Sequence, residues 1–220
     1  MNAGFANLTS LKTYLLAPVL RSRTDWDAAI TIIGQGVATA FENYCGRKFM
    51  RAAGNVEIIP ADRCQFLLSR YPLETLTAVD LKMKESGGWV AQDLNNIISI
   101  DQANGVINFP EQADLGPWYA QARFTYTGGF FWEQLEPVDG AGNPTAGFPT
   151  AVPGGAALVP ADLLEAWLMQ CAENWKLKDK LGQGITIEEK VQRISAANLV
   201  DNLLPQVKSR VGQYVRYSLT

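Results

Sequence analysis

The sequence predicts an α+β fold, a mainly α-helical bundle with a small antiparallel β region inserted into it. Three observations carry that expectation. Apolar residues recur at helical spacing near both ends, short runs rich in β-branched and aromatic residues fill the middle, and a glycine- and proline-rich stretch separates the two patterns. With 220 residues, 47% hydrophobic and 19% charged, the chain has ordinary globular composition and enough length for one substantial core. The expected layout is a single domain over 1–220. It has N-terminal helices over 1–53, a β-rich insertion over 54–132, a Gly/Pro loop over 133–160, C-terminal helices over 161–202 and a tail over 203–220.

A short helix is predicted over 10–16, ended by Pro18. Next, Trp26, Ile30, Ile33, Val37, Phe41 and Tyr44 follow one another at spacings of four, three, four, four and three, which places them on one buried helical stripe. Thr24 is the predicted N-cap of that helix, with Asp27 as a shortened capping-box acid, and Gly46 sits where a C-terminal cap belongs. Strands are predicted at 56–59, 66–68, 76–82, 89–91, 97–100, 106–109 and 122–127, with Asn104-Gly105 as a tight hairpin turn. Nine glycines and prolines from Gly140 to Pro160 forbid lasting helix or strand in the loop, whose apolar Phe148 and Val152 suit either a docking contact or a plain insertion. After Pro160, a second amphipathic helix runs to about Asp179 with Leu164, Trp167, Leu168, Cys171 and Trp175 on one face, expected to pack on the Trp26 helix. Gly182 and Gly184 interrupt the chain, and Ile187, Val191, Ile194, then Val207, Val211, Tyr214 and Val215 give weaker helical spacing around Pro205.

The strongest constraint on chemistry is the absence of histidine, which removes Ser-His, Cys-His and His-metal sites together. Cys45, Cys64 and Cys171 are odd in number and widely spaced, so neither a disulfide framework nor a zinc site is indicated and a reducing cytoplasm fits. Cys45 has Arg47 two residues away, which could activate a thiolate, but no base is at hand and a buried structural role is the better reading; the same holds for Cys171. Asp25 and Asp27 suit the positive end of a helix better than catalysis, as do Glu188 and Glu189. Gly128-Gly129 and Gly154-Gly155 lack the context of phosphate-binding loops and read as turns. Tyr126, Phe130, Phe131 and Trp132 have only Arg123 nearby, which argues for packing over a nucleic-acid platform. No metal and no cofactor is expected, and neither a signal peptide nor a membrane-spanning run is read in the chain. The net charge of -3 is uneven: residues 176–220 hold eight Lys or Arg against four Asp or Glu, suiting either a solvated helix face or a tail that docks on an acidic partner or on nucleic acid.

Several strings stand in a recognisable order: Leu11-Lys12-Thr13-Tyr14-Leu15, Phe41-Glu42-Asn43-Tyr44-Cys45-Gly46-Arg47-Lys48-Phe49, Tyr71-Pro72-Leu73, Gly105-Val106-Ile107-Asn108-Phe109, Phe124-Thr125-Tyr126-Thr127-Gly128-Gly129-Phe130 and Pro160-Ala161-Asp162-Leu163. Over most of residues 10–180 the chain resembles the head-tail connector family of tailed bacteriophages, also called adaptor or head-completion proteins. The resemblance implies a helical bundle with an inserted β region and a structural, non-enzymatic role in virion assembly. Copies would form a ring, typically dodecameric, beneath the portal, extending its channel and helping to retain the packaged genome. The implied partners are the portal protein, neighbouring copies, the next neck or tail-completion protein, and DNA passing without sequence-specific contact; no membrane is involved. The implied location is the virion neck, with host cytoplasm before assembly. A C-terminal docking segment would match Leu203–Thr220, including Val207, Lys208, Arg210, Val211, Tyr214, Arg216 and Tyr217, and is expected to add little to the core. The long Gly/Pro loop after Trp132 departs from the family, which passes more directly from strand to helix. Two other classes compete: a carbohydrate- or surface-binding module with Trp118, Tyr119, Phe130, Phe131 and Trp132 as an aromatic platform, and a hydrolase using carboxylates such as Glu133 and Glu136.

Overall fold

A computed structural model describes residues 4–5, 8–61, 63–84, 87–110, 120–131, 154–177 and 203–216. The chain divides into two compact units, a helical one drawn from Met1–Gly46 and Val159–Arg216, and a β-rich one drawn from Arg47–Phe131 and Pro153–Leu158.

In the helical unit, α1 is Leu8–Leu15, α2 Asp27–Cys45, α3 Ala161–Lys176 and α4 Pro205–Val211. The stripe on α2 buries Ile30, Val37 and Phe41 almost completely and leaves Trp26 and Ile33 half-buried. On α3, Trp167 and Cys171 are fully buried, whereas Leu164, Leu168 and Trp175 are half-buried; Leu163 fills the inward position that the spacing assigns to Leu164. The two helices meet at Trp167, whose indole N–H donates to the Gly34 carbonyl at 3.1 Å, and at Trp26 and Trp175, edge to face at 5.8 Å. Phe5, from the segment before α1, enters the same core against Phe41 and Trp167, with centroids 6.1 and 6.0 Å away. Gly4 makes that entry possible: its φ is +102°, and a Cβ there would run into the Gly34 carbonyl.

The start of α2 differs from the capping expected of Thr24. The helix begins after Trp26 without a side-chain cap, and Thr24 contributes its carbonyl, accepting from the Asp27 N–H at 3.1 Å. Asp27 is instead engaged by Lys12, a lysine only 7% exposed, whose ammonium lies 2.6 Å from the carboxylate and also donates to the Arg23 carbonyl. A nearly buried ammonium without a carboxylate partner would carry a large desolvation penalty, so this pairing outweighs a helix cap. At the other end Gly46 closes α2 with φ +63°, its N–H returning to the Glu42 carbonyl.

The β-rich unit contains β1 (Ala52–Pro60), β2 (Gln65–Leu67), β3 (Leu73–Lys82), β4 (Val90–Ala91), β5 (Ser99–Asp101), β6 (Val106–Asn108), β7 (Gln121–Gly128), β8 (Phe130–Phe131) and β9 (Ala157–Leu158). They form a four-stranded sheet in the order β1-β7-β3-β4, a three-stranded sheet β2-β6-β5 and the pair β8-β9. Alternation along β7 sends Ala122, Phe124 and Tyr126 inward, where they join Val79 and Leu81 of β3 and meet Phe66 and Ile107 of the smaller sheet, with Leu68 and Phe109 just past the ends of its strands. Phe66 lies at the centre, 5.0 Å from Phe124 and 5.8 Å from Phe109 between centroids. The β5–β6 connection spans four residues, wider than a two-residue Asn-Gly turn, with the Asp101 carboxylate accepting from Asn104. Gly105 is required there twice over, because its φ is +67° and a Cβ would come within 2.8 Å of Tyr71 Cβ.

The expectation of a mainly α-helical bundle with a small β region is overturned. Among the described residues four α-helices stand beside nine strands in three sheets, and the β-rich unit has its own two-layer core. Strands of three residues show too little alternation to reveal that two layers exist, and the length of β1 is hidden by Gly54, which sits at a bulge between Ala52 and Asn55. The Gly/Pro stretch is corrected as well: Ala157 and Leu158 pair in parallel with Phe130 and Phe131, because the open main-chain side of β8 offers an extended segment a partner. The remaining loop residues 133–153, and Ile187, Val191 and Ile194, lie outside the described residues.

Candidate docking site

The C-terminal segment is part of the helical core as well as a surface. Leu204 precedes α4 with its N–H bonded to the Gln170 side chain at 3.0 Å, and Pro205 opens the helix at the position where a missing N–H costs nothing. Val207 and Val211 face inward and are fully buried, with Leu203 4% exposed. Two hydrogen bonds tie the segment to the end of α2: the Cys45 thiol to the Val211 carbonyl at 3.6 Å, and the Arg216 N–H to the Cys45 carbonyl at 2.7 Å. The expectation that this tail adds little to the core is therefore corrected; sequence spacing around Pro205 does not show which face α3 covers.

The outward side of the same segment carries Lys208, Arg210, Tyr214 and Arg216, all half-buried, and residues 203–216 contain no carboxylate. Arg210 pairs with Glu165 at 2.5 Å, and Asp162 accepts from the Tyr214 hydroxyl at 2.9 Å and from Gln213. Asp162 and Glu165 lie on the first turns of α3, so the carboxylate of Glu165 holds Arg210 and that of Asp162 holds Tyr214 and Gln213 at this edge. The Arg210 ion pair is exposed and adds little stability, which leaves the guanidinium able to exchange partners. Of the seven docking residues read from the sequence, the structure brings Lys208, Arg210, Tyr214 and Arg216 to a surface and places Val207 and Val211 inside. Tyr217 lies outside the described residues.

In the β-rich unit, one cation is buried and two others are partly buried in ion pairs. Arg47 is 5% exposed; its guanidinium carbon lies 3.3 Å from the Tyr71 ring centroid, 4.9 Å from that of Phe49 and 5.6 Å from that of Phe130, and it donates to the Tyr71 carbonyl. Phe130 is thus buried between Arg47 and Phe49, its ring stacked on Phe49 at 6.5 Å, and has no face to offer a sugar. Trp118, Tyr119 and Trp132, the other main members of the aromatic platform, lie outside the described residues, as do Glu133 and Glu136. Arg51 forks onto Glu74 at 2.7 and 3.0 Å, and Arg123 joins Asp80 at 2.9 Å beneath Trp89.

Glu57 sits among hydrogen-bond donors, accepting from the Ser69 N–H and hydroxyl and, at 2.6 Å, from the Tyr126 hydroxyl. Burial, and then the bond to Glu57, push the Tyr126 phenol well above its ordinary value of 10.0. The folded chain therefore holds this proton at a pH where the unfolded chain releases it, so the stabilisation is full below about pH 10 and is lost as pH rises beyond. Tyr126→Phe is expected to cost about 1–3 kcal/mol at pH 8, with the gap to the parent narrowing at pH 11. Urea unfolding at both pH values measures it, and a gap that does not change with pH would refute the linkage.

Nothing in these arrangements assembles a catalytic constellation from the described residues. Cys45 and Cys171 are buried, burial pushing the Cys171 thiol far up, and no group of three or more Cys, Asp or Glu among the described residues could hold a metal ion. No described helix is long and apolar enough to cross a membrane. No protein-family model matches the chain, and the search of curated proteins returns no match. Among solved structures, a chain in the virion of a native gene transfer agent (GTA) particle aligns with a TM-score of 0.59 at 14% identity, covering 97% of this chain and 90% of that one. A chain from the neck of the empty GTA particle, computed with C6 symmetry, aligns with a TM-score of 0.58 at 14% identity over the same shares. The protein shares, over nearly its whole length, the fold of chains found in GTA particles and their necks.

Proposed function

We propose that this protein is a structural subunit of a phage-like neck, forming a ring beneath the portal that joins the head to the tail and helps retain packaged DNA. The observation that carries the reading is the alignment of almost the whole chain, both units included, with chains of GTA virions and necks. The docking edge of α4 fits it. Lys208, Arg210, Tyr214 and Arg216 present a cationic and aromatic surface to an acidic portal partner, while Val207 and Val211 hold the helix in place. The next neck or tail-completion protein takes the opposite side of the ring, and DNA passes without base-specific contact. Electron microscopy and mass measurement of the protein mixed with its cognate portal are the direct test; persistent absence of both rings and complexes would sink the reading.

The docking edge has its own test. Lys208→Glu combined with Arg210→Glu is expected to weaken portal attachment at least tenfold, roughly 1.4 kcal/mol, because like charges would then face each other across the contact. Both side chains are partly solvated, so the melting midpoint should move little. Unchanged portal affinity would remove α4 from the interface.

A further inference from the structure

Among the described residues the β-rich unit has two apolar margins, each at the end of a strand order. Among the described residues β1 pairs on one side only, with β7, and no described strand borders its other side along the nine residues. Val56 and Ile58 on that strand are 56% and 54% exposed. Edge strands are ordinarily protected by lysine, proline, charge or a bulge. Here the bulge guards only the start, Pro60 only the end, and the single charge, Glu57, is turned toward Ser69 and Tyr126.

The far margin of the same sheet is β4, from which the chain crosses to β5, the edge of the smaller sheet. That crossing exposes Val90, Leu94, Ile98 and Ile100, at 59%, 37%, 65% and 39%. Six of the ten large hydrophobic residues exposed among the described residues therefore lie on these two margins, a concentration that marks contact surfaces and not scatter.

A two-fold contact needs one self-complementary margin, so the other would stay open. Two unlike apolar margins at opposite ends of one strand order are what a head-to-tail contact uses, each copy giving one margin to each neighbour, and such contacts close into a ring when the rotation per copy fits. Resting on the ring reading above, we infer that the occupant of the β1 edge is a second copy of this chain. Val56 and Ile58 of one copy meet the Val90–Ile100 margin of the next, and the other side of β1 gains main-chain partners there.

The test uses the full chain with Cys64→Ser, which removes its half-buried thiol, under conditions where rings form. Val56→Cys and Ile98→Cys are made separately, as are Ile58→Cys and Ile100→Cys, and treated with a short bis-maleimide. Cross-linked pairs are expected when a β1 variant is mixed with a far-margin variant, and not when either is treated alone. A β1 variant that links to itself shows a two-fold contact and overturns the inference. Rings that form but never cross-link in any mixture also overturn it, while leaving the ring reading intact; a parent protein that forms neither rings nor complexes when mixed with its portal sinks both. Ile58→Lys supplies an independent arm: ring yield should fall at least tenfold with the monomer's melting curve unchanged. Normal rings that no longer bind the next neck component would assign the margin to that protein and overturn the inference.

Discussion

A chain ended at Asn202 should lose the cooperative melting of its helical unit. The deletion removes Leu203, Val207 and Val211, each at most 4% exposed. At about 1.5–3 kcal/mol for each fully buried aliphatic side chain, the loss is comparable to the whole stability of a typical domain, about 5–15 kcal/mol. Polar groups suffer too. The Gln170 side chain, 2% exposed, gives up the Leu204 N–H, and the Cys45 carbonyl gives up the Arg216 N–H. Circular dichroism of the shortened chain is therefore expected to show weakened helical signal and a lowered or absent transition. An unchanged midpoint would mean that α4 does not pack as the structure shows. Loss of portal binding by such a truncation would not identify a docking surface, because the fold itself is removed; the double charge reversal on α4 keeps the two effects apart.

How legible the protein is depends on the range of the interaction. The Trp26–Phe41 stripe and the Trp167–Cys171 pair follow from local spacing, and Gly46 from the need for positive φ at a helix end. All seven sequence-read strand regions overlap observed strands, since alternation and β-branched content are local too. What spacing does not contain is the partner. Lys12 draws Asp27 away from capping across fifteen residues, Phe5 enters a core formed by Phe41 and Trp167, and Arg47 finds Tyr71 and Phe130, each settled by the third dimension. The same limit conceals the two-layer β core, and so the balance of the fold. For the candidate site, positive charge on α4 was legible from composition, but the division between inward Val207 and Val211 and outward Lys208 and Arg210 depends on α3 lying beneath.

Trp26 and Trp167 look alike in the sequence, two tryptophans on apolar helical stripes, but they should respond very differently to alanine. Trp167 is fully buried, touches Phe5 and donates its indole N–H to the Gly34 carbonyl. Its removal leaves a cavity among three elements that cannot easily collapse, because the Gly4 backbone and α2 already meet closely at Gly34. A loss of about 3–5 kcal/mol is expected. Trp26 is half-buried, with Trp175 edge to face on one side and the Arg23 guanidinium 4.9 Å from its ring. Water can fill the space it vacates, so a loss of about 1–2 kcal/mol is expected, from partial area burial and the ring pair. Denaturant unfolding of the two variants measures the difference, and Trp167→Phe, which keeps much of the volume but not the N–H, should fall between them. Equal losses for Trp26→Ala and Trp167→Ala would mean that the helical unit is centred on both tryptophans alike, as the sequence spacing alone implies, and not on Trp167.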